Sequence, residues 1–468
     1  MSDNKLRKSL IKGTGIYAIG TLGTKILSFI FVPIYTYYID PNDMGAYDIL
    51  ISTMSLISPL ITLQTADAAY TWIIIDDKNA SLYIRTTLQT VAINCLLAIA
   101  VIGVIHLRKP IPYFFYFIVL LFITLITGVF QKSLRGLKNQ KLFAFSGIVH
   151  SAVFLLLNVL QICVLHRGIV SLFVSSIVSL FVTLLTILIF EKRTRVNFFR
   201  KIHTDTLRDF LKFGVPLVPN YLNWWLINSS DKYIVSFFLG LSSNGILSIA
   251  HRFPTTLHAI LALFNTSWQD IAVSGKDGGE KGDYGKVFRD YYLLVFSFLW
   301  MLIPFTKVVA YLVMSPAYKS ASNFIAFYYL GTVFQSFSSF YGVGYLRSKD
   351  TAKAFTTSVY AAVVNIAANL ALIHFIGLQA SAVSTFVSFF VMWIVRERQN
   401  RKELGIEIRW KEVLGYTASC VILSIVSIHF SLIVNICLFI SGAILFVARN
   451  REVIRKSLLL IRNRLGSR

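Results

Sequence analysis

Acid is scarce in this sequence. Its 468 residues hold 22 Asp and Glu against 45 Lys and Arg. Charged residues of both signs make up only 14%, where soluble domains carry about 25%. With 56% of the chain hydrophobic, that shortage excludes an ordinary soluble globule. The four cysteines, Cys95, Cys163, Cys420 and Cys437, each fall inside an apolar run with no CxxC spacing. This excludes a disulfide framework and a clustered metal site, and the four read as small buried hydrophobes. No HExxH motif and no GxxxxGK[ST] loop occurs, so neither a zinc protease nor an ATP-driven pump is encoded. No cofactor is implied.

Long apolar runs are what the chain has instead. Each run of roughly 20 mostly apolar residues is long enough to span a bilayer as a helix. About fourteen are predicted, over residues 11–39, 44–75, 83–106, 112–130, 142–165, 169–190, 210–239, 245–273, 287–314, 324–346, 354–375, 378–395, 413–430 and 433–448. The first follows a basic start but is much longer than a signal-peptide core, so it is expected to be retained as a span. Assigning the connections alternately to two sides puts thirty-seven of the Lys and Arg on the N-terminal side. Only Arg108, Lys109, Arg167 and Lys319 fall opposite. By the positive-inside rule both termini are cytoplasmic.

The net charge of +23 does not point to nucleic acid, because the positives are short clusters at helix ends with no basic domain to carry them. Their expected partners are anionic membrane lipids at the inner leaflet. The larger polar segments, 191–212, 269–290 and 396–412, are all on the cytoplasmic side, and no soluble domain hangs from either face. Function is therefore expected within the bundle. An integral-membrane polymerase or glycosyltransferase needs catalytic carboxylates or His on a sizeable outer loop, and none is present, so the chain is not read as an enzyme.

An internal repeat organises the runs. The segment from Tyr37-Tyr38-Ile39 through Gly45 to Ile49 lines up, two hundred residues later, with Phe237-Phe238-Leu239 through Gly245 to Ile249. Further on, Leu134-Arg135 and Lys141 match Leu346-Arg347 and Lys353. Six spans per copy give two lobes of the same orientation, the parallel-repeat plan of transporters. The expected divisions are an N-terminal lobe over 1–200, a C-terminal lobe over 201–398, and an extra helix pair with a basic tail over 399–468. The fold class is all-α.

Charges away from helix ends are few, and each is costly at bilayer depth, about 2.5 to 3.5 kcal/mol on the insertion scale. They are Lys25, Asp67, Asp231, Lys232, Arg252 and Lys307. Their positive sum suits an anion, with a diphosphate headgroup the fitting chemistry. Lys25, Arg252, Lys232 and Lys307 are the candidate anion ligands. The plainer alternatives are an Asp231–Arg252 ion pair, a Lys307 that snorkels outward, and an Asp67 that only balances Lys25.

The seventh run carries Pro216, Pro219, Asn220, Asn223, Trp224, Trp225, Asn228, Ser229 and Ser230 ahead of Asp231. Its prolines free carbonyls and permit a kink, and its amides and hydroxyls need partners that lipid cannot supply. Trp224 and Trp225 are candidates for stacking on sugar rings, with Asn228 beside them. Pro33, Pro254 and Pro304 mark further bending points. Asn365 and Asn369 share one helix face and, with Asp231 and Asp67, are candidate oxygen donors for a coupling cation. His251 and His258 titrate near neutral pH, but their spacing is not that of a metal site.

The run from Leu211 through Phe213-Gly214-Val215-Pro216-Leu217-Val218-Pro219-Asn220, followed by Trp224-Trp225, Asn228 to Ile234 and Gly245 to Ala250, resembles the middle signature of bacterial oligosaccharide flippases of the Wzx type. The first helix ending at Gly45, and Leu134-Arg135-Gly136 with Lys141, resemble the same family, so the likeness covers essentially the whole chain. It implies a MATE-like fold of two six-helix lobes around a central cavity, and alternating access. It also implies export of undecaprenyl-diphosphate-linked oligosaccharide across the bacterial cytoplasmic membrane, for capsule, O-antigen or exopolysaccharide synthesis, alongside polysaccharide polymerase and glycosyltransferases. In related flippases cationic residues on helices one and eight take the diphosphate, which corresponds here to Lys25 and Arg252. Relatives often carry Arg where this chain has Lys232, and the extra helix pair resembles fourteen-helix lipid II flippases. The rival transport reading is a MATE-like ion-coupled exporter of small organic cations, which calls for acidic residues dominating the cavity.

Overall fold

The computed structural model describes residues 31–274 and 281–451. Helices account for nearly all of it, with no strand among the described residues. Eleven are long and apolar enough to cross a membrane. Three further predicted spans complete the fourteen. The first falls for the most part outside the described residues, and the other two are the helices Val218–Leu239 and Ser322–Arg347, which are richer in aromatic, amide and hydroxyl side chains. The outward surfaces agree with a bilayer as solvent. The helix Ala80–Arg108 exposes Leu96, Leu97, Val101 and Val104 along one side, which water would penalise and acyl chains would not. The chain is a multi-pass membrane protein.

Two compact units divide it, one of residues 1–236 with 240–245, the other of 237–239 with 246–468. In the first, helix α1 (Val32–Tyr38) leads to α2 (Pro41–Thr62) through Asp40, whose carboxylate caps the Asn42 amide while Pro41 opens the helix. The run predicted as one span over 44–75 is broken. Leu63 and Gln64 both take left-handed backbone conformations (φ 45° and 53°), and a separate α3 (Thr65–Ile75) follows. Gly214 explains the site of the break: a side chain there would collide with the Leu63 carbonyl, so the two backbones meet where α2 ends. Around α3 and α4 (Ala80–Arg108), an apolar core forms with α5 (Phe114–Gly136) from Ile73, Ile84, Leu88, Leu121, Leu125 and Leu134. Helix α6 (Gln140–Asn158) ends in a π-helical turn, Val159–Val164, and packs on α7 (Val170–Phe190). Amphipathic α8 (Thr204–Gly214) then passes through a 3₁₀ segment at Pro216 into α9 (Val218–Leu239), so the prolines interrupt the α-helical bonding there.

Helix α10 (Leu241–Ala250) begins after Gly240, whose φ of 86° and ψ of 168° favour glycine. In the second unit the run 245–273 is broken at His251, and α11 (Arg252–Ser274) resumes with Pro254 in its first turn, where the missing N–H costs no helical bond. Helix α12 (Lys281–Val313) stays continuous through Pro304. Helix α13 (Ser322–Arg347) is buried on nearly every side, mostly by aromatic packing. Its Phe334, Phe337, Phe340 and Tyr341 meet Phe288, Phe296 and Trp393, and Phe340 stacks on Trp268 at 4.1 Å. Helices α14 (Thr351–Ile376) and α15 (Gln379–Leu404) pack together, and α15 continues nine residues past the apolar run that predicted it. The last pair, α16 (Trp410–His429) and α17 (Leu432–Arg449), packs against α12. One expectation fails here. Cys95 and Cys420 are buried, but Cys163 is only half-buried and Cys437 is exposed, because α17 turns that side outward where lipid rather than protein covers it.

Candidate functional site

Helix α9 concentrates the polar side chains, and its proline-directed entry decides where they point. It makes side-chain bonds first to α3 and then at successive levels of α2. Tyr221 donates to Asp67 at 3.1 Å, the Trp225 indole N–H to the Ser52 carbonyl at 2.9 Å, and the Tyr233 and Thr53 hydroxyls meet at 2.6 Å. Farthest along, the Lys232 ammonium reaches Asp48 at 3.0 Å, with both side chains 16% exposed. The Asn244 amide, fully buried, donates to the other Asp48 oxygen at 3.3 Å and to the Gly45 carbonyl at 3.1 Å. Two charges withdrawn this far from solvent attract strongly, by about 5 kcal/mol at an effective dielectric of 20, and lose much of that gain to desolvation. Lys232 is therefore committed to a carboxylate that was not singled out in the sequence.

The two adjacent tryptophans differ. Trp225 is tied to Ser52 and packs edge-on against Tyr233 at 5.4 Å. For Trp224 the backbone carbonyl accepts from exposed Asn228 at 2.8 Å, so these two share one surface of α9. Asp231 is buried and its carboxylate accepts the Lys232 amide at 2.9 Å. Asp67, expected to balance Lys25, pairs with Lys132 at 2.7 Å. Lys25 itself lies outside the described residues.

In the second unit, half-buried Arg252 opens α11, and its carbonyl accepts the Thr255 and Thr256 hydroxyls. His251, in the break before it, lies 4.2 Å from the ring of Tyr328. Lys307 is half-buried and donates to Asn323. Asn365 and Asn369 are fully buried on α14. Asn365 reaches Thr385 and Ser388 of α15 at 3.4 and 3.5 Å, and neither amide atom of Asn369 has a hydrogen-bond partner among the described residues. Arg396, assigned from the sequence to a polar connection, is buried inside α15 and bonded to the Thr357 hydroxyl and to the Ser338 and Ala354 carbonyls. Among the described residues no group of three or more His, Cys, Asp or Glu is placed to hold a metal ion.

A sequence profile for the family described as "Polysaccharide biosynthesis protein" matches residues 10–268, more than half of the chain and all of α9. The chain belongs to this family. No curated protein matches it by sequence. By structure, the family member is similar to "Lipid II flippase MurJ, inward closed conformation", with a TM-score of 0.68 over 94% of this chain and 99% of that one at 15% identity. It is similar also to an inward-facing "multidrug resistance MATE family transporter of the MOP superfamily", with a TM-score of 0.67 over 83% and 98% at 15% identity. A third similar structure is a MATE "in the straight conformation", with a TM-score of 0.57 over 85% and 96% at 16% identity. At such identities the structures establish the fold, which is MATE-like. Family and fold together bear out the resemblance to Wzx-type flippases within the multidrug, oligosaccharidyl-lipid and polysaccharide exporter superfamily. The family and its structural neighbours are transporters and flippases.

Proposed function

We propose that this protein is a flippase that carries undecaprenyl-diphosphate-linked oligosaccharide repeat units from the inner to the outer leaflet of the bacterial cytoplasmic membrane by alternating access. The observation that carries the reading is the polysaccharide-biosynthesis family match across residues 10–268, which contains the polar helix α9. No covalent bond changes in such a cycle. Both termini lie in the cytoplasm, and the exported units feed capsule, O-antigen or exopolysaccharide assembly by a polymerase and glycosyltransferases. Lys25 and Arg252 are the diphosphate ligands in this reading, and half-buried Trp224 and exposed Asn228 supply a stacking ring and an amide to the sugars. Asp231, Asn365 and Asn369 are the coupling-cation candidates, and the unsatisfied amide of buried Asn369 supports its inclusion. Lys232 and Asp67 serve the scaffold, since Asp48 and Lys132 engage them.

The similarity to MATE transporters favours a second reading, export of small organic cations. Charge separates the two. A cation exporter needs acidic side chains free to bind cargo, whereas this chain is short of acid throughout, and Asp48 and Asp67 are already paired. A deletion strain decides. Lipid-linked repeat units should accumulate on the cytoplasmic leaflet and surface polysaccharide should disappear, and both should be restored by the wild-type gene but not by Lys25→Ala or Arg252→Ala at equal protein level. Normal surface polysaccharide in the deletion strain, combined with loss of resistance to organic cations, establishes the exporter instead.

A further inference from the structure

A cavity of about 910 Å³ lies wholly within the second unit, where the first turns of α12, the end of α15 and the connection 405–409 come together. Gly405, in the left-handed conformation (φ 64°), ends α15 and starts that connection, whose residues line the space. Lys286, Arg289, Arg401, Lys402 and Arg409 line the cavity, against two carboxylates, Glu397 and Glu407. The cations outnumber the nearby carboxylates Glu397, Glu407 and Glu412, and that surplus positive charge favours an anion. Glu412 pairs with Arg289 and Arg409 at 3.4 and 3.0 Å, but Arg401 and Lys402 form no ion pair among the described residues. The Nε of Arg289 is buried with no hydrogen-bond acceptor among them either.

The cavity also holds a second, opposite demand. Glu397 is 2% exposed, and its Oε2 has no hydrogen-bond donor among the described residues. A buried carboxylate oxygen left without a donor is unfavourable, so a donor from a ligand or water is called for. The Tyr292 phenol beside it donates to Glu412 at 2.7 Å and cannot serve. Cations for an anion, and a lone acceptor for a donor, occur in one space of the size that holds small ligands.

We infer that this cavity binds a phosphate ester carrying a hydroxyl or ammonium group, the phosphate held by Arg401, Lys402 and Arg289 and the donor by Glu397. Glycerophospholipid headgroups and soluble glycerol or amino-alcohol phosphates share that chemistry. The site is separate from α9, and its occupancy is read by binding alone, so the result stands whatever the protein transports.

Native mass spectrometry of the full-length protein in detergent tests it. The probes are phosphatidylglycerol, phosphatidylethanolamine, phosphatidylcholine (which lacks a donor) and soluble glycerol 3-phosphate. Wild-type protein should retain one phosphatidylglycerol or phosphatidylethanolamine about tenfold more strongly than phosphatidylcholine. Arg401→Gln/Lys402→Gln should abolish retention, and Glu397→Gln should erase the preference over phosphatidylcholine. Gly285→Leu provides a blocked cavity in folded protein, because Gly285 lines the space and a Cβ there meets no neighbouring atom. Lipid retention without competition by glycerol 3-phosphate makes a headgroup the ligand; binding of the soluble ester alone makes it a metabolite site. Equal occupancy in wild type, the double variant and Gly285→Leu for every probe overturns the inference.

Discussion

Gly45 and Gly245 meet backbone to backbone. A Cβ built on Gly45 runs into the Leu241 carbonyl and one on Gly245 into the Pro41 carbonyl, each collision lying four residues before the partner glycine. Equivalent positions of the two-hundred-residue repeat thus cross as equivalent partners, each glycine filling the space the other leaves. Gly45→Ala or Gly245→Ala should each lower the thermal midpoint of the purified protein, with a cost at or above the 1–3 kcal/mol usual for overpacking, since backbone rather than a flexible side chain must move. Ala at Gly103, which has no neighbour within 4 Å, is the control and should leave the midpoint nearly unchanged. Equal midpoints for all three variants contradict the crossing.

The Asp48–Lys232 pair should behave as a unit. Asp48→Asn or Lys232→Met alone strands a largely buried charge and should cost about 3 kcal/mol, while the double variant should cost less than the sum by at least 1 kcal/mol. A double-mutant cycle on thermal or denaturant unfolding measures this. Strict additivity means the two charges do not depend on one another.

The adjacent tryptophans should separate by phenotype. Trp225→Ala removes the bond to Ser52 and the edge contact with Tyr233, and should reduce stability. Trp224→Ala, at a half-buried position, should cost less stability than Trp225→Ala, yet reduce surface polysaccharide. Quantifying folded protein and polysaccharide in the same cells distinguishes them.

Acid stability should depend on Glu191, which follows α7 outside the membrane-spanning segment. Burial opposes its ionisation, but the Asn139 amide at 3.0 Å and Arg193 at 3.2 Å outweigh that and hold its carboxyl below the usual range. A lowered native value means the stabilisation is complete above the unfolded value, about 4.3, and is lost as pH falls through the native one. Glu191→Gln should therefore be less stable than wild type at pH 6 and should flatten the decline below pH 4.5. Parallel curves for the two proteins would contradict this assignment.

Hydropathy made the spans legible because a bilayer imposes length and apolarity together, and the glycine register of the repeat survived translation into contacts. Breaks and partners were less legible. Nothing in the composition of Leu63-Gln64 announces left-handed backbone; the reason is Gly214, a hundred and fifty residues away. Asp48 sits two turns inside α2 and Lys132 near the end of α5, so both resembled charges near helix ends until tertiary packing gave them Lys232 and Asp67. Arg396 and Glu397 fell beyond the apolar run only because a helix end can be buried by neighbours rather than by lipid. Periodicity reports which face a residue occupies, not which charge waits opposite it.

The central claim is movement of a lipid-linked oligosaccharide between leaflets, and reconstitution measures it directly. Purified protein in proteoliposomes, loaded in one leaflet with undecaprenyl-diphosphate-linked oligosaccharide, should expose the sugar to an impermeant enzyme or lectin on the other side, with Arg252→Ala proteoliposomes remaining near the protein-free rate. Transfer no faster than in protein-free liposomes, with or without an imposed ion gradient or membrane potential, contradicts the account.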